Sequence, residues 1–353
     1  MRVVAAIAGL ALIGLMLAEF FVTFMLPRRV RRDPRIARGL IHLFWMPWRA
    51  VARRLSPASA DTMLGVFGPL ALLFELITWT VGLIIGFGLL EWAAVGGGLG
   101  HGLLFSSGLF LNAEAVSGST LVHVIALFEA AIAIGVLFIV IGYLPAVYGS
   151  FSRREIAVSQ LGTRAGSPAA AGAILCRAAE RERWRELERD LRAWEEWVAE
   201  LMETHLSYPI LGYYRSQHVN QNWLAALTAM ADVSAFVIAV EADGENEQAE
   251  LTYAIGRHAL SDLALQYRVR PGASQRLSGD DFDRLYAAVE HAASRPLERE
   301  EARRRLTEFR AEYEPKAEGL SALLALEVPQ WVRAEDRQVL ARVTPSTGHD
   351  LVG

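Results

Sequence analysis

The sequence predicts an all-α membrane protein with three transmembrane helices and a re-entrant pore-loop half-helix, followed by a cytosolic helical bundle. Three observations predict it. Apolar runs at about 3–26, 63–90 and 121–148 are each long enough to cross a bilayer. Between Thr62 and Ser152 only Glu75, Glu91, Glu114 and Glu129 are charged, too few to solvate a soluble domain. After Arg153 the chain becomes rich in Arg and Glu with helical periodicity, and no strand pattern stands out.

The arithmetic of the whole chain agrees with that division. Its 353 residues are 53% apolar and 21% charged, with net charge −4, and a mean hydropathy of +0.25 excludes a disordered chain. Residues 1–152 hold ten Arg and seven acids, while the remainder holds 25 basic and 32 acidic side chains. The expected domains are a pore-like membrane part at 1–152, a helical part at 153–340 and a loose tail at 341–353. Cys176, as the only cysteine, excludes an intramolecular disulfide and any Cys-based metal cage.

Val3 to Leu26 is interrupted only by Glu19 and reads as the first span; a cleaved signal peptide is the rival, but the apolar core is too long for one. Pro27 ends it. Residues 28–54 then carry nine Arg against one acid, Asp33, which sets this loop in the cytoplasm by the positive-inside rule. Within it, Ile36 to Leu55 mixes Arg with Leu40, Leu43, Phe44, Trp45 and Trp48. That composition suits either a helix in the headgroup plane, bent at Pro47, or a plain loop.

Met63 to Leu90 is the second span and Leu121 to Tyr148 the third. Between them, four glycines (Gly96, Gly97, Gly98 and Gly100) precede the apolar stretch Leu103 to Leu111, which is too short to span, and the small polar tail Asn112 to Thr120. A pore loop at about 100–118 fits this order; an extracellular amphipathic turn is the alternative. Trp184, Leu187, Leu191, Trp194, Val198, Leu201 and His205 form an a/d seam, read as one helix of an intramolecular bundle rather than a contact between subunits. Further helical patterns occupy Gln221 to Val240, Gln248 to Tyr267, Asp280 to Ala293 and Leu297 to Leu326. Trp223 to Val240 meets the length of a fourth span. Asp232 at its centre argues for a buried helix of the bundle instead.

The chemistry resides in acids within the membrane part. Glu19, Glu75 and Glu129 occupy one span each, and no Lys or Arg between Thr62 and Ser152 neutralises the last two. They either line a cation or proton path or bond neighbouring helices as neutral acids. Gly135 and Gly142, with Pro145, offer a hinge or a close-packing face. His205, His218, Asp232, His258 and Asp262 follow no metal-ligand spacing, and there is no phosphate loop, nucleophile elbow or basic nucleic-acid tract. No enzymatic activity, cofactor, metal centre or nucleic-acid partner is expected.

Several motifs resemble a bacterial family of potassium-channel-like, pore-loop membrane proteins. They are Leu26-Pro27-Arg28-Arg29-Val30, Gly142-Tyr143-Leu144-Pro145 leading to Phe151-Ser152-Arg153-Arg154-Glu155, and Ser207-Tyr208-Pro209 through Arg215-Ser216-Gln217-His218 and Asn220-Gln221 to Trp223. The resemblance covers most of residues 15–330. It implies a homotetramer in the bacterial inner (plasma) membrane, with the C-terminal domain cytoplasmic and monovalent cations as the transported species.

The filter departs from that family. Where such relatives carry a Thr-Leu-Gly-x-Gly-Asp type sequence, Ser107-Gly108 here leads through Leu109-Phe110-Leu111 to Asn112-Ala113-Glu114-Ala115-Val116. A potassium filter turns consecutive backbone carbonyls inward, which glycines permit and a β-branched Val resists. A ring of Glu114 carboxylates would favour cations without selecting potassium. The expected function is a cation pathway of low K⁺ selectivity involving Asn112, Ala113, Glu114, Ala115, Val116, Glu75 and Glu129. The alternative is a non-conducting relative that acts as a membrane-anchored sensor or scaffold.

Overall fold

Apolar length sets the helices of the first half of the chain, and turn chemistry sets where they stop. The structure, a computed structural model, describes residues 1–24, 36–112, 118–179, 183–218 and 220–343. Among them every regular element is a helix, apart from an isolated antiparallel bridge between Glu241 and Pro296. Two compact units emerge, Met1–Gly149 and Ser150–Gly353. This division and the boundary expected after residue 152 both fall inside one helix.

The first unit contains α1 (Arg2–Phe24), α2 (Ile36–Ala52), α3 (Pro57–Val95), α4 (Leu99–Asn112) and the first part of α5 (Thr120–Ala165). Its core joins Ile13, Met16 and Phe20 of α1 to Trp79, Leu83 and Phe87 of α3, with Phe110 of α4 and Ile125, Ile132, Val136 and Ile139 of α5 packed around them. Phe20 meets Trp79 edge to face at 5.5 Å. Glycines bring the backbones together: a Cβ on Gly86 would stand 2.6 Å from Ile13 Cγ1, and one on Gly9 would stand 2.6 Å from the Gly86 carbonyl. On α2, Trp45 packs on Phe67 of α3 at 4.7 Å and Trp48 Nε1 donates to the Met63 carbonyl at 2.9 Å, while Leu43, Phe44, Met46 and Val51 remain exposed.

Both long helices exceed the expected spans. Pro57 starts α3 in its first turn, where its missing N–H is harmless, and the successive positive φ values of Gly96 (+86°) and Gly97 (+80°) end it. The span predicted to end at Tyr148 continues as α5, through Pro145, to Ala165. Pro145 removes a single hydrogen bond, and the helix stops at Gly166, φ +80°, whose N–H bonds the Gly162 carbonyl. The apolar runs marked the part suited to lipid; the caps marked the helix.

Three helices of this unit, α1, α3 and α5, are long and apolar enough to cross a membrane. Only 11% of the most apolar stretch of α5 is buried, and Leu127, Phe128, Leu137, Phe138 and Ile141 are exposed, so α5 requires lipid or another protein surface. These features suit an integral membrane protein. At 14 residues, α4 reaches about 21 Å and falls short of a bilayer core.

The second unit holds the end of α5 and then α6 (Ala171–Ala178), α7 (Arg183–Ser207), a 3₁₀ turn (Pro209–Tyr213), α8 (Trp223–Val240), α9 (Glu247–Gln266), α10 (Gly279–Val289), α11 (Arg299–Leu324) and α12 (Ala334–Val343). Helices α6 and α12 carry no long apolar repeat and were not expected. The tail predicted from residue 341 is helical to Val343, and residues 344–353 lie outside the described ones. Side chains at the starts satisfy free N–H groups: Asn222 caps α8, Asn246 α9 and Ser278 α10.

Every residue of α8 is buried, although its length and composition alone would suit a span. Its neighbours α9 and α11 carry the polar surface that a lipid-facing helix would lack. Asp232 is accommodated because Arg276 grips it through both guanidinium nitrogens at 2.8 Å and the Tyr313 hydroxyl donates to it at 2.6 Å. Arg276 also holds Glu314 at 2.7 Å, which in turn accepts from Trp331 Nε1 and pairs with Arg310. The a/d seam of α7 is buried against the chain's own helices. The Thr252 hydroxyl of α9 donates to the Leu191 carbonyl, and His205 lies 4.7 Å from the Trp223 ring.

Candidate functional site

A carboxyl in an apolar setting is costly unless it gains a proton, a hydrogen bond or a counter-charge. The first unit buries four of them: Glu19 on α1, Glu75 and Glu91 on α3, and Glu129 on α5. None of these side chains faces an exposed surface of the chain.

Glu129 is joined to the short helix α4. Small residues let α4 lie directly on α3: a Cβ on Gly102 would stand 2.5 Å from the Gly88 carbonyl, and one on Gly88 would stand 2.8 Å from Leu103 Cδ2. One turn beyond Gly102, the Ser106 hydroxyl meets the Ile84 carbonyl of α3 at 3.0 Å. Contacts that move back along α3 as α4 advances make the two helices antiparallel. The same hydroxyl bonds Glu129 of α5. Ser106 thus ties the short helix to both long ones.

Other expected site residues lie elsewhere. Ala113, Glu114, Ala115 and Val116 are outside the described residues, and Asn112 ends α4. Gly118 follows at φ +150°, a conformation that favours glycine. At Gly135 and Gly142 an added Cβ would meet nothing within 4 Å, so neither serves close packing within this chain. That role belongs to Gly9, Gly86, Gly88 and Gly102. Glu91 was visible in sequence as a lone charge but stood outside the predicted span; the extension of α3 to Val95 makes it a buried helix residue.

In the second unit the polar residues serve the fold. The neutral Nδ1–H tautomer of His205 satisfies both of its contacts, donating to the Leu201 carbonyl at 2.8 Å and accepting from Arg154 at 3.2 Å. Burial, and then the Arg154 charge, pushes its pKa down to about 3. Burial alone would lower the Arg276 pKa, but the charges of Asp232 and Glu314 more than reverse this and keep the guanidinium protonated. Exposed His258 lies 3.6 Å from the half-buried Asp262. Among the described residues no group of three or more His, Cys, Asp or Glu side chains is arranged to hold a metal ion.

Compared with known protein families, curated proteins and solved structures, the chain matches none.

Proposed function

We propose that this chain is a potassium-channel-like, pore-loop protein of the bacterial inner membrane that provides a cation pathway of low K⁺ selectivity as a homotetramer. The observation that supports this reading is the order and packing of α3, α4 and α5: a long apolar helix, a helix too short to span, and a second long apolar helix, tied together through Ser106. In a pore-loop protein the short helix is the re-entrant half-helix, and residues 113–117 return from it as the filter. The exposed apolar face of α5 is then covered by neighbouring subunits and lipid. The nine Arg of residues 28–54 set the N-terminus outside, that loop inside, and the second unit in the cytoplasm.

The filter determines what such a pathway would pass. Residues 112–116 contain no glycine, and holding non-Gly residues in left-handed angles costs about 1–3 kcal/mol each, repeated in every subunit. Selection by a carbonyl cage is therefore disfavoured, and a ring of Glu114 carboxylates becomes the principal discriminator.

Flux of K⁺, Na⁺ and H⁺ through the purified, reconstituted protein tests this. The expected result is a K⁺ to Na⁺ permeability ratio within about a factor of ten, as side-chain rings give, that falls further in Glu114→Gln. A strongly K⁺-selective current would overturn the filter reading. Absence of flux from a tetramer would turn the assignment to a non-conducting sensor or scaffold acting through the helical second unit.

A further inference from the structure

Helix α2 carries two unlike flanks, one on either side of its contact with α3. Residues three, four or seven apart along a helix share a face. Trp45, Trp48 and Ala52 share one: both Trp rings pack on Phe67, at 4.7 and 5.9 Å, and Ala52 is buried. About a quarter turn to one side of that face come Leu40, Phe44 and Val51, the last two exposed. About a quarter turn to the other side come His42, Arg49 and Arg53, of which His42 and Arg53 are exposed. The helical turn continues as far as Arg53, whose N–H donates to the Arg49 carbonyl at 3.1 Å, so the two arginines stand one turn apart on the same flank.

The contacts with α3 orient the two flanks. The adjacent rings of Phe44 and Trp45 meet α3 at Phe74 and Phe67, two turns apart, while Trp48 Nε1 bonds the Met63 carbonyl, earlier still. The apolar flank therefore faces along α3 into its apolar stretch, and the basic flank faces back toward its start at Pro57. Between Pro34 and Ala60 the sequence holds five Arg and no acid, and neither Arg53 nor Arg54 forms an ion pair among the described residues. A helix with its apolar flank turned into the bilayer and its basic flank turned out of it suits the boundary between acyl chains and headgroups. There its charge is complementary to phosphate, whose oxygens match the guanidinium fork. We propose that α2 binds anionic phospholipids at the membrane surface, with Arg49, Arg53 and the adjoining Arg54 holding headgroup phosphates while Leu40, Phe44 and Val51 enter the acyl boundary. The inference rests on the membrane reading above and deepens it by naming a lipid partner; it requires no conduction.

The test uses the full-length protein in a non-ionic detergent, titrated with phosphatidylglycerol or phosphatidylcholine of the same acyl chains, with retained lipid counted by native mass spectrometry. The expected result is preferential retention of phosphatidylglycerol. That preference should fall by about fivefold in Arg53→Gln, fall further when Arg49→Gln and Arg54→Gln are added, and persist in the corresponding Lys variants. Arg189→Gln, which removes an exposed charge of the second unit, should leave it unchanged. Thermal unfolding confirms that each variant is folded; if the triple variant is not, Arg53→Gln decides, since the exposed Arg53 takes no part in the packing of Trp45 and Trp48 on α3. Equal retention of the two lipids, an unchanged preference in the folded variants, an equal loss in Arg189→Gln, or displacement of the lipid by inorganic phosphate would overturn the proposal. A change of oligomeric state on substitution, without added lipid, would give the flank to a neighbouring copy and overturn it too. Retention of neither lipid would overturn the membrane reading along with it. Since flux is not the readout, a protein that conducts without lipid preference keeps the pathway and loses this partner, and the converse result does the reverse.

Discussion

Asp232 and Arg276 show how one residue decides the character of an element. Without its partner, an ionised Asp at the centre of an 18-residue apolar helix would be severely penalised; with Arg276 bidentate at 2.8 Å and Tyr313 at 2.6 Å, α8 tolerates it in full burial. Asp232→Ala leaves Arg276 half-neutralised in the core and is expected to destabilise the second unit by about 3–5 kcal/mol, measured as the denaturant midpoint. Replacing both partners with apolar residues, as in Asp232→Leu with Arg276→Met, should restore only part of that loss: Glu314 keeps Arg310 and Trp331, but the buried Tyr313 hydroxyl loses its acceptor. His205 sets a pH response of definite sign. Its folded pKa of about 3 lies below the ordinary 6.5, so the unfolded chain takes up a proton that the fold excludes. Stability is complete above about pH 6.5 and declines as pH falls toward 3. Glu314 acts in the same direction below 4.5: burial raises its pKa, but Arg276 and Arg310 outweigh this and hold it low. The melting temperature should therefore drop steadily below pH 6.5, and His205→Gln, which keeps a donor and an acceptor, should flatten the curve between pH 6.5 and 4.5. An unchanged slope in that variant would assign the effect to other groups.

At the level of elements, glycine position matters more than glycine count. Gly102 lies where α4 meets the backbone of α3, with the Gly88 carbonyl 2.5 Å from where a Cβ would be, and a carbonyl within a helix has little room to yield. Gly102→Ala is expected to cost about 1–3 kcal/mol and to lower the thermal stability of the detergent-solubilised protein, whereas Gly135→Ala, facing open space within the chain, should leave its fold intact. The sequence singled out Gly135 and Gly142 because they lie in a long apolar run with Pro145. It gave no sign of which helix face meets a neighbour, and so missed Gly86, Gly88 and Gly102. The long helices were legible because apolar length is a local property. Their ends were less so: the third span was expected to stop at Tyr148, yet α5 continues to Ala165. The pairing of Glu129 with Ser106 spans 23 residues and that of Asp232 with Arg276 spans 44, distances across which periodicity carries no information.

For the whole molecule the open quantity is which segments cross. Four helices satisfy length and composition, but α8 presents no surface to lipid, since its own unit covers every residue of it. The expected topology has three crossings, with residues 91–120 outside and the second unit inside. Cysteine introduced at exposed Gly98, between α3 and α4, should react with an impermeant reagent from the outer side, and cysteine at exposed Glu250 on α9 only after the membrane is opened. Cys176 adds little background, because burial, followed by the Asp336 charge, pushes its thiol up to about 12. Outer-side labelling at position 250 would make α8 a fourth crossing.

The covering of α8 has a consequence for how the chain is made. The helix leaves the ribosome as 18 largely apolar residues at an average hydropathy of 1.9, comparable with a genuine span. Arg276 follows Asp232 by 44 residues and Tyr313 by 81. At about 5–20 residues per second, roughly 2–9 s separate synthesis of the acid from synthesis of its first partner. During that interval the segment has the length and hydropathy of a span without the partner of its acid, and an unpaired Asp at its centre costs about 2.5–3.5 kcal/mol against entry into lipid. The carboxylate that anchors the folded unit would thus also weigh against insertion before that unit is complete.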